Sequence, residues 1–421
     1  MPPSAVSPPS PDHEEAFRLQ ERASGRRRRL RQVGTLVAVA VIITGGVGWA
    51  TDGFTRSLGS VLGSLGPQCP PTVRLNGSGS SLIGPLMQTW VRTYSGAAST
   101  RERGCLVVLP TYNASGAAAG LGTLGADGTE FAATEEPLTP AEEAGLPSPT
   151  LTLPLAVGAV AVVYNVSGVP NGLNLTGAVL AGIYLGTITL WNDSAIAGLN
   201  PGVTLPSDAP ITVVHESPGS STSFVFTGFL SESNATWAGT IGQGSSVAWP
   251  VGRSANGDAA VGAAVSATQG AIAYVSLGTA IGDHLDCAKV ANRASTFVAP
   301  SAASVYAAAT AYGQTLPLGN ESWQNVSLLD LPGTGSYPIT TFTYAIVYAD
   351  LGLAYHGGLL LNVAQWLAAF LYWMSVAGQS YVAPLGCAPF TSTVTSGNQQ
   401  IVELLKYDGV PALGDVDYDG D

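Results

Sequence analysis

From residue 72 onward, short runs of β-branched and apolar residues alternate with longer stretches of helical periodicity, and this alternation constrains the fold more than any other feature of the sequence. The strand candidates are Val73–Leu75, Leu106–Leu109, Leu155–Tyr164, Ile211–His215, Ala271–Val275 and Thr341–Tyr348. The helix candidates include Leu82–Ser95, Ala178–Leu185, Thr222–Leu230, Asp258–Ala267 and Leu359–Ala377. Such alternation is typical of sheets whose strands run mainly parallel, so the sequence predicts an α/β fold.

The distribution of charge and of metal-binding residues excludes two classes of protein. Residues 1–31 contain seven Arg and four acidic residues, whereas the rest of the chain has nine Lys and Arg against 24 acidic residues. Such an acidic body lacks the clustered cations that bind nucleic-acid phosphates, so we expect no nucleic-acid partner. The four His are scattered and the four Cys form no CxxC pair, so we expect neither a metal centre nor a cofactor.

The N-terminal segment has the pattern of a membrane anchor. Arg26–Arg29 and Arg31 precede an uncharged stretch, Val33–Ala50, whose 18 residues would rise about 27 Å as a helix, close to the hydrocarbon thickness of a bilayer. Positive charge on its N-terminal side keeps that end in the cytoplasm. The alternative is a cleaved signal peptide. We therefore predict a disordered cytoplasmic tail (1–31), a single-pass transmembrane signal-anchor (32–51) and a linker (52–71), with a binding domain on the extracellular face of the cell membrane.

Two further patterns favour an exterior location. Eight of the 14 Asn open an N-x-S/T sequon, more than chance predicts, which favours an N-glycosylated surface protein, although some sequons could belong to inherited loop motifs. These are Asn76, Asn113, Asn165, Asn174, Asn192, Asn234, Asn320 and Asn325. The Cys are even in number, as expected for disulfides in an oxidising compartment. If the strands after Cys69 and Cys105 are parallel neighbours, these two can pair and leave Cys287 and Cys387 for each other, but three pairings are possible.

Two segments near the C-terminus each allow two interpretations. Leu351–Gly378 has no Asp, Glu, Lys or Arg and could be a second membrane span, but its glycines, Gly357 and Gly358, favour a packed helix that begins at Leu359. The last residues include Asp415, Asp417 and Asp419, the first half of a D-x-D-x-D-G calcium loop. The later ligands of such a loop are missing, so a solvated acidic tail over 406–421 is favoured.

Three clusters of Gly, Ser and Thr each stand where a helical pattern begins: Asn76–Ser81, Tyr112–Gly120 and Ser217–Thr222. Backbone N–H groups and hydroxyls at a helix N-terminus bind an anion without any formal positive charge. One such cluster is more often an ordinary helix cap. Three clusters, each after a strand candidate, predict an anion site at the carboxyl ends of the strands.

The motifs around these loops resemble those of the substrate-binding proteins of ABC phosphate importers over residues 72–405. The matching stretches are Gly77–Leu86, Glu130–Leu138, Val157–Asn165, Leu173–Gly177, Ile183–Asp193, Ile211–His215, Ser221–Thr227, Trp249–Gly252 and Gly378–Gly386. The resemblance implies a two-lobed clamshell of the type II periplasmic-binding-protein-like class that closes on one phosphate. It implies lobe I over 72–155 and 295–405, lobe II over 156–294, and an ABC permease as partner.

The resemblance also implies which residues hold the ligand. They are Ser81, Leu82, Ser115, Glu135, Ser220, Ser221 and Thr222. The family uses a hydroxyl and the next backbone N–H in its first loop, which fall on Ser81 and Leu82. The Ser of the second loop is replaced by Ala117 unless Ser115 takes its place, and Glu135 stands where an Asp accepts the proton of hydrogen phosphate.

The sequence departs from the family at Glu216, which stands where an Arg normally binds the oxyanion. A carboxylate there would repel phosphate in a poorly solvated cleft. His215 or Arg253 could compensate, which makes Arg253 a further candidate ligand, or Glu216 could turn outward.

Three functional hypotheses follow. The first is an extracytoplasmic, membrane-anchored solute-binding protein that captures inorganic phosphate or a related oxyanion for an ABC importer. The second is a glycosylated cell-surface or assembly protein that reuses the fold without ligand capture. The third, an enzyme, is not expected because no nucleophile–base pair or metal cluster accompanies the oxyanion loops in the sequence.

Overall fold

Two long strands of almost entirely buried residues, Thr150–Asn165 and Thr340–Tyr348, lie at the centre of a nine-stranded sheet. A computed structural model of the chain describes residues 72–101 and 108–413. The strands are β1 (Val73–Gly79), β2 (Val108–Asn113), β3 (Phe131–Thr134), β4 (Thr150–Asn165), β5 (Asn174–Leu175), β6 (Thr212–Glu216), β7 (Arg253–Ala255), β8 (Ala271–Ser276), β9 (Asp286–Cys287), β10 (Lys289–Ala291), β11 (Phe297–Val298), β12 (Thr340–Tyr348), β13 (Lys406–Tyr407) and β14 (Val410–Pro411).

Helices flank the sheet and connect its strands. They are α1 (Gly84–Arg101), α2 (Ala117–Gly125), α3 (Pro140–Gly145), α4 (Gly177–Tyr184), α5 (Ser194–Ala197), α6 (Ser221–Ser233), α7 (Ala235–Thr240), α8 (Asp258–Ser266), α9 (Leu277–Gly282), α10 (Ala302–Ala311), α11 (Leu351–Ala354), α12 (Leu361–Ser375) and α13 (Ser392–Glu403), with 3₁₀ helices at Ala377–Tyr381 and Ala383–Leu385.

The sheet has parallel margins and an antiparallel centre. Its strand order is β2-β1-β3-β12-β4-β8-β6-β7, and β9 pairs with β4 off this path. The pairs β1–β2, β1–β3, β6–β8 and β6–β7 are parallel, whereas β12 pairs antiparallel with both β3 and β4, and β4 pairs antiparallel with β8. The prediction of mainly parallel sheets therefore holds for the margins and not for the centre.

Strand β4 connects the two margins. Residues Thr150–Ala159 of β4 pair with β12, and Val160–Asn165 pair with β8. A run of 16 residues with little polar character can be buried on both faces, which is why this strand passes through the middle of the sheet. The strands β1, β2 and β3 on one side and β6, β7 and β8 on the other are called the first and second margins below.

All six strand candidates overlap strands, and all five helix candidates overlap helices. The short strand β3 was missed because four residues, Phe131–Thr134, are too few to show a period in the sequence. Leu359–Ala377 contains α12, which is 15 residues long. Eight residues of this helix are buried, as expected of a packed helix. No helix in the described ranges combines the length and apolarity needed to cross a bilayer. The predicted tail, anchor and linker (1–71) and the residues Asp415, Asp417 and Asp419 lie outside the described residues.

The expectation that Cys287 and Cys387 pair with each other is wrong, because both are free thiols. Cys287 in β9 lies opposite Val163 of β4, whereas Ala388, next to Cys387, bridges Val157 of the same strand. Six residues of strand separate these positions, roughly 20 Å, far beyond the Cα separation that a disulfide allows. Cys69 and Cys105 are outside the described residues.

Candidate functional site

The loops that follow β1, β2, β6 and β7 line a cavity of about 100 Å³ between the two margins of the sheet. Its wall includes Gly116, Ser220 and Gly257, the residues immediately before α2, α6 and α8. Each helix N-terminus carries roughly half a positive elementary charge from its aligned peptide dipoles. Within the described part of the chain, none of the residues that line the cavity is Lys, Arg or His. The groups in this lining that could attract an anion are therefore hydroxyls and backbone N–H groups.

Two of these three helix ends have no side-chain cap. Gly116 and Gly257 have no side chain to cap α2 and α8, and both adopt positive φ angles, 94° and 82°. The Ser220 hydroxyl, by contrast, accepts a hydrogen bond from the Ser223 N–H at 3.0 Å. Uncapped helix N–H groups need an acceptor, and an anion is the acceptor that suits them best.

In the loop after β1, the predicted ligand Ser81 lines the cavity and is half-buried. The predicted N–H donor, Leu82, already donates at 3.1 Å to the hydroxyl of Ser80, which is fully buried. The Tyr112 hydroxyl donates to the Ser80 carbonyl at 2.8 Å. The loop is thus fixed by its own hydrogen bonds, and it presents Ser81 to the cavity.

The predicted proton acceptor, Glu135, is buried, does not line this cavity and is surrounded by hydroxyls. Its Oε1 accepts hydrogen bonds from Ser80 at 2.8 Å and Thr343 at 2.6 Å. Its Oε2 accepts from Ser80 at 2.7 Å and from Ser221. Burial raises the pKa of the Glu135 carboxyl, and these hydroxyls partly oppose that effect by stabilising the charged form. Three hydroxyls therefore donate to the two oxygens of Glu135, and the single proton of Ser80 is shared between them.

The residues that begin α6 point their hydroxyls into the protein. Ser221 donates to Glu135, and Thr222 donates to Asp258 Oδ1 at 3.2 Å. Asp258, the first residue of α8, also accepts from the Ser276 N–H at 2.7 Å. Ser221 and Thr222 therefore hold α6 against the first margin and against α8, and Ser220 is the member of this triplet that lines the cavity.

Glu216 ends β6 in the cavity wall and is 2 % exposed. It does not turn outward. Burial raises the pKa of its carboxyl well above the ordinary value of 4.5, and the nearby carboxylates of Asp258 and Glu135 raise it further. The Ser220 hydroxyl opposes this shift by hydrogen-bonding to the carboxyl. Raised pKa values favour a neutral Glu216, which removes the charge expected to repel an anion.

Of the other predicted residues, Ser115 lies in the cavity wall and Arg253 does not. The Ser115 hydroxyl lies 2.9 Å from that of Ser78. The Arg253 guanidinium hydrogen-bonds to the Thr268 hydroxyl and to the Ala264 carbonyl, on the far side of β7. The structure therefore brings Ser81, Ser115, Ser220 and Glu216 together around the cavity and places Arg253 elsewhere.

Sequence reasoning missed Ser80, Thr343 and Asp258. Ser80 is next to the predicted ligand Ser81, and the sequence could not show that its side chain is directed to Glu135. Thr343 lies inside a buried apolar strand, and Asp258 stands at the start of a helix, where an acidic residue is ordinary. Only the fold brings these three side chains beside Glu135 and Glu216.

Comparison with known proteins gives a consistent result. Residues 66–376 match the family model of a PBP superfamily domain. The chain is 34 % identical over 284 residues to the phosphate-binding protein PstS of Xylella fastidiosa, covering 66 % of this chain and 72 % of that protein. It is 34 % identical over 340 residues to the phosphate-binding protein PstS 2 of Mycobacterium tuberculosis, covering 77 % and 85 %. A solved phosphate-binding protein from Stenotrophomonas maltophilia superposes with a TM-score of 0.57 at 18 % identity, covering 81 % and 98 %.

Proposed function

The chain belongs to the PBP superfamily, among the phosphate-binding proteins of ABC phosphate transporters, and we propose that it captures inorganic phosphate or a closely related oxyanion outside the cytoplasm and delivers it to an ABC permease. The expected α/β periplasmic-binding-protein-like fold and the family resemblance are confirmed. The lobe boundaries and the ligand residues stay predictions. A binding role without catalysis agrees with what the relatives' names describe.

The convergence of three helix N-termini on one cavity is the observation that best supports phosphate capture. The ends of α2, α6 and α8 belong to different margins of the sheet, so a bound anion would hold both margins together. The margins already touch here, since the Ala118 N–H donates to the Gly219 carbonyl at 3.4 Å and Ser221 reaches Glu135. A clamshell that closes on its ligand would make and break this contact between the margins.

Calorimetric titration of the purified full-length chain tests the proposal, with sulfate as the control anion. We expect micromolar affinity for phosphate. Ser81→Ala should weaken that affinity about tenfold or more, because a hydrogen bond to a charged ligand contributes on the order of 1.5–3 kcal/mol. Ser380→Ala is the matched control, since the Ser380 hydroxyl is exposed and bonds the Ala377 carbonyl. A folded sample that gives no heat with phosphate would rule out phosphate capture.

We also propose that Val33–Ala50 anchors the protein in the cell membrane with the described residues on the extracellular face. The sequence pattern alone supports this. Alkaline carbonate should leave the full-length chain in the membrane pellet, whereas a variant without residues 1–51 should be released. Release of the full-length chain would favour the cleaved signal peptide.

Four of the eight sequons are exposed and are the sites where we propose N-glycans: Asn113, Asn192, Asn320 and Asn325. Asn165 and Asn174 are poor acceptors, because their side-chain amides donate to backbone carbonyls: Asn165 to Val265 at 3.0 Å and Asn174 to Leu199 at 3.1 Å. Glycopeptide mapping after expression in a glycosylating host tests this. Occupancy at Asn165 or Asn174 and none at the exposed sites would contradict it.

A further inference from the structure

Protein groups from the two sides of the sheet bond each other directly beside the cavity. The Ser221 hydroxyl, at the start of the helix that follows β6, donates to Glu135 Oε2 in the loop after β3. The Ala118 N–H of α2 donates to the Gly219 carbonyl at 3.4 Å. A Cβ on Gly219 would lie 3.1 Å from the Ala118 Cβ, so α2 and the loop before α6 are packed against each other.

Glu135 draws its three hydroxyl donors from both sides of this contact. Ser80 follows β1, and Thr343 lies in β12, which pairs with β3, so both belong to the same part of the sheet as Glu135. Ser221 is the one donor of the three that comes from beyond the second margin. Separation of the margins would therefore take a hydroxyl away from a carboxyl that is 2 % exposed, which is costly.

The second margin holds Ser221 in position for this bond. The N–H groups of Gly219 and Ser220 both donate to the Ser245 carbonyl, at 3.0 and 3.2 Å. The Ser220 hydroxyl caps α6 by accepting from the Ser223 N–H at 3.0 Å. Because Glu135 is likewise held by donors of its own margin, both partners are ordered before they meet, and little conformational entropy is lost when the bond forms.

The bond between Ser221 and Glu135 joins two protein groups, so it favours contact between the margins whether or not an anion is bound. Neither residue belongs to the described lining of the cavity. An anion at the helix ends therefore need not displace this bond.

We propose that the hydrogen bond between Ser221 and Glu135 is a latch that holds the two margins together independently of the ligand. Such a latch raises the population of the closed arrangement before binding, and it slows ligand exchange because opening must first break it. The latch itself does not depend on the proposed function, whereas its effect on phosphate exchange rests on that function.

The backbone amide of Ala118 reports directly on this latch. Ala118 is the second residue of α2, so its N–H has no acceptor within the helix. Among the described residues, its acceptor is the Gly219 carbonyl on the other side of the contact. Protection of this amide from hydrogen exchange therefore requires the margins to be together.

Two serine substitutions on α6 provide the test and its matched control. Ser221→Ala removes the hydroxyl donor of the latch and keeps the helix backbone. Ser231→Ala removes a hydroxyl that donates to the Thr227 carbonyl of the same helix at 2.8 Å. Hydrogen exchange is followed at single-amide resolution in both full-length variants and in the wild type, each dialysed free of phosphate, after thermal unfolding has shown that each is folded.

We expect the Ala118 amide to be protected in the wild type and in Ser231→Ala, and to exchange about tenfold faster or more in Ser221→Ala. Amides of β4 measure any general loss of stability, and the increase at Ala118 should exceed the increase there. An unprotected Ala118 amide in the phosphate-free wild type, or equal rates in the two variants, would overturn the latch.

Release of radiolabelled phosphate into an excess of unlabelled phosphate tests the consequence for the ligand. Ser221→Ala should release phosphate about tenfold faster than the wild type and Ser231→Ala, because opening no longer breaks the latch. Equal release rates would overturn the control of ligand exchange by the latch. A wild-type chain that binds no phosphate would instead refute the proposed function, and the Ala118 amide would still decide whether the latch exists.

Discussion

Three buried acidic side chains, Glu135, Glu216 and Asp258, lie in or near a cavity whose described lining has no cationic side chain. Three kinds of interaction lower the cost of burying these acids. Hydroxyls surround Glu135, a backbone N–H and the Thr222 hydroxyl donate to Asp258, and burial raises the pKa of Glu216, which favours its neutral form. Buried charges need such partners because the low-dielectric interior does not solvate them.

Glu135→Ala should destabilise the protein by about 2–4 kcal/mol, because it leaves three buried hydroxyls without their acceptor and opens a void. Urea unfolding followed by tryptophan fluorescence measures the loss. Glu403→Ala, at the exposed end of α13, is the control and should change stability by less than about 0.5 kcal/mol. Equal stabilities of the two variants would show that the hydrogen bonds between Glu135 and its three hydroxyl donors contribute nothing to the free energy of unfolding.

The raised pKa of Glu216 should make its contribution to stability fall as pH rises. The folded carboxyl keeps its proton where the unfolded one, with an ordinary pKa of 4.5, has released it. The stabilisation is therefore complete below the unfolded pKa and is lost as pH rises towards the folded pKa, at about 1.4 kcal/mol per pH unit.

Urea unfolding of the wild type and of Glu216→Gln between pH 4 and pH 8 isolates this effect, because Gln does not titrate. The stability of the wild type relative to the variant should decline above about pH 4.5. A difference that is constant with pH, or that grows, would mean that Glu216 is ionised in the folded protein.

Each element that builds the cavity is a helix that follows a strand of the sheet, and the pattern of the sequence was sufficient to predict most of them. The Gly/Ser clusters before α1, α2 and α6 were recognisable because all three follow strand candidates, although one alone is more often an ordinary helix cap. The wall formed by Asn256 and Gly257 was not recognised, since neither a Gly/Ser run nor a long strand marks β7. Side-chain direction was also hidden: Ser80, Ser221 and Thr222 turn inward because buried carboxylates attract their hydroxyls.

The position of α2 depends on a close contact between two glycines. A Cβ on Gly120 would lie 2.4 Å from the Gly79 Cα of β1, which has φ +131°. Gly120→Ala must push α2 away from the sheet, and the N-terminus of α2 forms part of the cavity wall. We expect a loss of about 1–3 kcal/mol in unfolding free energy and weaker phosphate binding.

Gly122→Ala is the matched control on the same helix, because nothing lies within 4 Å of its added Cβ. It should raise stability by about 0.5–1 kcal/mol through helix propensity and leave phosphate affinity unchanged. Urea unfolding and calorimetry on both variants measure the two effects. If both variants behave alike, α2 is not held by the glycine contact.

At the scale of the whole molecule, β4 and β12 make the two margins of the sheet parts of one structure. Nine residues of β12 pair with β4, and the last six residues of β4 pair with β8 in the second margin. An apolar run as long as β4 showed in the sequence as a buried strand, but its antiparallel partners did not, because pairing partners far apart in sequence leave no local signal. If the contact between the margins opens, the crossing strands can stay paired provided that the motion bends them.

The two free thiols of the described residues, Cys287 and Cys387, lie beside different parts of β4 and can report whether this part of the chain unfolds as one unit. Cys387 is buried, and burial raises its pKa to about 12; Cys287 is half-buried, with a pKa raised to about 11, chiefly by burial. Both thiols should therefore react slowly in the native protein, because little thiolate is present.

Brief alkylation across a urea series, followed by peptide mapping, should give the same midpoint for Cys287 and Cys387, equal to that of tryptophan fluorescence. We expect a single midpoint because β4 pairs with β12 along its first part and with β8 along its last part. Loss of either margin would leave part of β4 without its partner strand. Cys287→Ala provides the control, since it should leave the Cys387 midpoint unchanged within about 0.5 M urea. Modification of Cys287 at a clearly lower urea concentration than Cys387 would instead mean that the second margin unfolds by itself while the first remains folded.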